Sequence, residues 1–187
     1  MEVNLGTRAT QMFLNRKLGT IAALWGVAGT VAVLSYAVFR MFHQTRGAVT
    51  HSWNLEHYLV LILWTAFMAY SEGYRGFQRA FSPRVAARSV YLRERSTPLR
   101  LLLAPLFCMA FFHAPRKRRL TGVVLLILIA SIVVLFRFIP QPWRGILDFG
   151  VIIGLGWGII ATVYFLAKYW SSADAPFDGE VVESGDS

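Results

Sequence analysis

The stretch AYSEGYRGFQRAF places one acid, Glu72, ahead of two guanidinium groups, Arg75 and Arg79. A carboxyl group at the edge of a membrane can exchange a proton, hold a cation or meet a partner, and arginines can grip an anion with bidentate hydrogen bonds. His113, which closes LAPLFCMAFFH, adds an imidazole that titrates near neutral pH. Together these groups would supply the acid, anion binders and base of an interfacial enzyme acting on lipid-linked or anionic substrates. The simpler expectation is an i,i+3 ion pair between Glu72 and Arg75 at a helix end. Glu72 and His113 are therefore the only catalytic candidates, and a non-enzymatic role is favoured over them.

The remaining polar groups point to structure more than to chemistry. His43, His51 and His57 with Glu56 offer imidazole and carboxylate donors, but their spacing fits no fixed metal signature, so interfacial histidines are expected and no metal or other cofactor is assigned. Asp148 follows Arg144 by four residues, a spacing that permits a structural ion pair. The single thiol, Cys108, sits within an apolar run and excludes both an internal disulfide and a CxxC redox pair. There is no GxSxG elbow and no GxxxxGK phosphate loop.

Charge is sparse but concentrated. Only 16% of the residues are charged, against about 25% in soluble proteins, and the formal net charge is +9. Eleven of the 19 bases lie between Ser71 and Arg119, while residues 171–187 carry five acids and no base. Near an anionic leaflet each Lys or Arg contributes roughly 1 kcal/mol, so membrane lipid accounts for the basic residues without nucleic acid. Arg75, Arg79, Arg84, Arg88, Arg116, Lys117, Arg118 and Arg119 are the expected lipid- or anion-binding residues. The acidic tail over 171–187 is expected to be disordered, free to meet the basic surface or a basic partner.

The elements that must position these groups follow from apolar runs at 18–39, 58–70, 120–136 and 149–167. The first, 22 residues without a formal charge, reaches roughly 33 Å as a helix, enough for a hydrocarbon core of about 30 Å. The expected fold is all-α: a polytopic membrane protein with four transmembrane helices, a cytoplasmic amphipathic helix and an interfacial or re-entrant helix. Residues 1–170 form one helical membrane domain, with spans at about 18–39, 55–77, 120–138 and 146–169 and an Arg-rich cytoplasmic segment over 78–119. The first span, entered by Arg8, Arg16 and Lys17, reads as a retained signal anchor. Four crossings with both termini inside place fifteen bases on the cytoplasmic side and four outside, against twelve and seven for five crossings.

Local signals divide the Arg-rich segment. Ser82-Pro83 and Thr97-Pro98 each join a capping hydroxyl to a proline suited to the first helical turn, predicting helices over 83–95 and 98–113. The first is expected to lie on the bilayer with Arg84, Arg88 and Arg95 on one face, and the second to end at Ala114-Pro115. Trp53 and Tyr58 would mark the outer interface, Tyr70, Tyr74 and Phe77 the inner one, and Trp143 and Trp170 the two ends of the last span.

Gly150, Gly154 and Gly158 recur at four-residue spacing, with Gly26 between Ala22 and Thr30 in the first span. Small residues at that interval let helix backbones approach closely in lipid. Small size, helix-packing glycines and an Arg-rich surface favour an accessory subunit or assembly factor of a membrane complex. An oligomeric transporter or channel built from copies of the chain is the next reading, ahead of the interfacial enzyme. The excess of arginine over lysine suits a bacterial inner membrane.

Overall fold

A computed structural model describes residues 3–94, 97–111, 120, 123, 124, 127, 131, 132 and 134–171. The chain is all-helical, with no strand among the described residues. Most of the expected third span lies outside this set, as do His113, the basic group at 116–119 and the tail beyond Ser171.

The first helix, α1 (Val3–Val49), runs well past the apolar stretch that predicts it. Arg40 and Arg46 are good helix formers and do not end it, and the chain reverses only at Asn54. There the Asn54 N–H donates to His57 Nδ1 at 3.0 Å and the His57 N–H returns to Asn54 O at 3.0 Å. These bonds start α2 (Leu55–Met68).

α2 does not stop at the expected span end. It passes into a wide-turn π-helical segment (Ala69–Phe81), which continues as α3 (Ser82–Glu94). Met68, Ala69 and Ser82 all keep right-handed helical dihedrals, so residues 55–94 form one uninterrupted rod. The α-helical geometry does begin at Ser82, as expected, but as a continuation of the wide-turn segment and not at a capped start. The Ser82 N–H donates to Phe77 O five residues back, and Arg84 Nε donates to Ala80 O at 2.7 Å beside the proline, which supplies no N–H.

α3 is also not the surface helix expected over 83–95. Val85, Ala86, Ser89 and Leu92 are buried, and so is Arg88, with 1% of its surface exposed. By contrast Thr97 caps α4 (Pro98–Leu102) as its sequence implies, accepting from the Arg100 N–H at 3.3 Å. Leu103 breaks the helix two residues before Pro105, and α5 (Ala104–Cys108) ends well before the expected Ala114. Ala110, at φ 65°, closes it in a left-handed turn: Phe111 N–H donates to Leu106 O and Ala110 N–H to Phe107 O.

The last helix, α6 (Trp143–Ser171), packs on α1 and along the 55–94 rod. Two helices, Lys17–Ala48 and Trp143–Ser171, are long and apolar enough to cross a membrane. At one end of the molecule Gly145 lies against Ala48, and at the other Gly19 lies against the Arg93 carbonyl. The 55–94 rod runs parallel to α6, and α1 runs antiparallel to both. Between these ends, Ala23, Val27, Val85, Leu92, Ala104, Phe107 and Cys108 form the main core. The short α5 lies in a notch on α1 where Gly26 meets Cys108 and Ala104, and Gly29 meets Pro105.

Candidate functional site

The wide-turn segment carries the charged residues of SEGYRGFQR across the middle of α6. The register follows from close contacts in sequence order. Trp64 Nε1 donates to Leu147 O at 3.0 Å, and its indole covers Gly150. Glu72 lies against Gly154, Gly73 against Trp157 and Phe77 against Gly158. Ser82 Oγ reaches Thr162 Oγ1 at 3.0 Å, and Trp170 Nε1 donates to Ser89 Oγ at 3.3 Å.

The glycines allow this approach. A Cβ at Gly150 would sit 2.5 Å from the Trp64 ring, one at Gly158 2.5 Å from the Phe77 ring, and one at Gly154 3.2 Å from Glu72 Oε2. The glycine face therefore meets a helix of the same chain. Gly156, on another side, has nothing within 4 Å of such an atom.

Tyr70, Tyr74 and Phe77 consequently lie within the continuous 55–94 rod, alongside the middle of α6. Phe77 meets α6 at Gly158, about 22 Å along the helix from Trp143 and about 18 Å from Trp170. Glu72 is half-buried at this crossing. The ion pair expected between Glu72 and Arg75 is absent among the described residues. The wide turn explains why: at roughly 4.4 residues per turn, a side chain three positions on points about 115° away, whereas α geometry brings it within about 60°.

Arg75 and Arg79 instead face outward with the tyrosines. Arg75 and Arg79 are exposed, and Tyr70 keeps 59% of its surface. Tyr70 and Tyr74 stack with ring centroids 6.0 Å apart, and the Arg79 guanidinium lies 5.8 Å from the Tyr74 centroid. At the edge of this face Trp157 Nε1 donates to Gln78 Oε1 at 2.7 Å. Gln78 and Trp157 formed no part of the expected site. Glycine spacing signals a close crossing, but it does not name the side chains that the partner helix brings to it.

The other basic candidates divide. Arg84 is partly buried against its own helix, while Arg88 Nη1 donates to Phe107 O at 2.9 Å with its guanidinium 5.0 Å from the Phe107 centroid. Arg100 lies on Tyr91 and the same Phe107, at 5.4 and 5.8 Å. Arg88 thus anchors α5 from within and is not a residue of the surface, correcting its expected exposure. Arg116, Lys117, Arg118, Arg119 and His113 lie outside the described residues, so the pairing of Glu72 with His113 has no geometry here.

Cys108 is buried with its sulfur at the Gly26 notch. Asp148 Oδ2 lies 3.7 Å from Arg144 Nε, the ion pair that its spacing implied. The histidines are separate: His57 caps α2 with its ring 4.6 Å from Trp143, and His51 Nδ1 lies 3.0 Å from Gly47 O. Among the described residues no three His, Cys, Asp or Glu side chains gather in a way that could hold a metal ion.

Compared with protein-family models, with curated proteins and with solved structures, the chain matches none.

Proposed function

We propose that this chain is an integral membrane subunit or assembly factor, docking onto a larger membrane complex through the outward face of its wide-turn segment. One observation carries the reading: Tyr70, Tyr74, Arg75 and Arg79 are exposed at the level where α6 is most apolar, midway between Trp143 and Trp170. An arginine at the centre of a helix crossing a bilayer costs about 2.5–3.5 kcal/mol on insertion scales. Two such residues side by side need a protein surface, because hydrocarbon cannot solvate them.

The topology behind this proposal has four crossings with both termini cytoplasmic, in a bacterial inner membrane. The 55–94 rod counts as the second crossing. The 98–111 segment is re-entrant: α5 meets α1 at Gly29, about 16 Å along the helix from Leu18, or half the depth of the hydrocarbon core. Its backbone is acceptable at that depth because α1 and α3 cover it, with Arg88 meeting the Phe107 carbonyl. The basic group at 116–119 and the acidic tail serve a cytoplasmic surface that contacts anionic lipid or the partner.

The same polar level supports a second reading, an oligomeric transporter in which Glu72, Arg75 and Gln78 of several copies border a path. Purification of the tagged chain from native membranes in polymer discs, with mass spectrometry of proteins and lipids, separates the two. A stoichiometric foreign membrane protein is expected. A homo-oligomer without one would transfer the assignment to transport, and a monomer with lipid alone would remove both.

A further inference from the structure

We propose that the partner contributes a carboxylate-bearing transmembrane helix, whose Asp or Glu pairs with Arg75 and Arg79 beside the stacked rings of Tyr70 and Tyr74; this rests on the subunit reading above. Among the described residues the charge on this face is not met from within. Neither arginine forms an ion pair among the described residues, and the one acid nearby, Glu72, is turned toward Gly154 by the wide turn. Cations with adjacent phenol groups, at a level of low dielectric, select an anionic hydrogen-bond acceptor.

A second copy of this chain is a poor occupant. Between residues 18 and 171 the only acids are Glu56, Glu72, Glu94 and Asp148. Glu56 and Asp148 lie toward the Trp143 end, where Asp148 is paired with Arg144, and Glu94 lies at the opposite end. A symmetric pairing through this face would set arginine against arginine. An anionic lipid is also disfavoured, because its headgroup would have to be drawn about 18 Å below the surface marked by Trp170 to reach the level of Phe77. A carboxylate carried on a helix arrives at that depth already.

The test is a photo-crosslinking amino acid placed at Tyr74 of the full chain in native membranes, with Leu63, which is exposed on the same rod, as the comparison site. The adduct expected at position 74 is a membrane protein crosslinked through an apolar helix containing Asp or Glu. It should fall by about thirtyfold or more in R75E/R79E, remain in R75K/R79K, and return to R75E/R79E when the partner's acid is changed to Arg. The charge-swap rescue excludes misfolding as the cause of the loss. Adducts only with lipid, only with a second copy, or with a helix lacking an acid would overturn the inference, as would the absence of any adduct. If a stoichiometric partner co-purifies but crosslinks elsewhere, only this inference fails; if no partner co-purifies, the subunit reading fails with it.

Discussion

Glu72 and Gly154 occupy one helix crossing, where the absent side chain of the glycine leaves room for the carboxylate. A Cβ at 154 would meet both Glu72 Cβ and Oε2 at 3.2 Å. This contact sets the level of the polar segment along α6 and is the point from which the site is built.

The glycines of α6 should rank by what each one touches. Gly150→Ala and Gly158→Ala press a methyl into the rings of Trp64 and Phe77, and each should destabilise the fold by about 1–3 kcal/mol, the cost of overpacking. Gly154→Ala should cost less, since its nearest contacts, Glu72 Cβ and Oε2 at 3.2 Å, need give by only a little. Gly156→Ala meets nothing and should stabilise by up to about 1 kcal/mol through helix propensity. Thermal unfolding in one detergent gives the order, and equal effects at 156 and 158 would contradict the packing described.

Arg88 should matter for stability and not for lipid. Arg88→Met removes the donor to Phe107 O and should cost about 2–3 kcal/mol. Arg88→Lys should recover little, because one ammonium cannot both reach that carbonyl and lie on the Phe107 ring. Binding of the folded Arg88→Met variant to anionic liposomes across a salt series should match the parent. A weakened salt-dependent component would return Arg88 to the lipid surface.

Ala110→Gly should stabilise the protein. Ala110 holds φ 65° at the end of α5, where a side chain costs about 1 kcal/mol that glycine does not incur. A rise in melting temperature is expected. A fall would mean that the Ala110 methyl makes packing contacts worth more than the strain.

Cys108 should resist alkylation in the folded protein. The Gly26 notch covers the sulfur, and the residue is 1% exposed. Labelling by a maleimide should be slow at pH 8 and become fast on denaturation. Rapid labelling of the native protein at pH 8 would show that α5 leaves the notch.

The sequence alone determined what depends on composition and nearest neighbours. The all-helical character, two helices able to cross a membrane, the Thr97 cap, the Arg144–Asp148 pair and the close approach at Gly26, Gly150, Gly154 and Gly158 were all legible. Each arises from a local rule: apolar length, a capping hydroxyl, a four-residue spacing, a missing Cβ. The tertiary structure decided the rest. Whether Ser82-Pro83 starts a helix depended on the wide turn before it, and the same turn broke the 3.6-residue period that would have paired Glu72 with Arg75. Arg88 is buried because α5 folds back onto α1 and offers a carbonyl to it. The level of Arg75 and Arg79 along α6 depended on interhelical register, which is set by where Trp64, Phe77 and Ser82 find glycines and a threonine some 80 residues away. No local pattern encodes that register, because it is the sum of contacts between segments that meet only once the chain has folded.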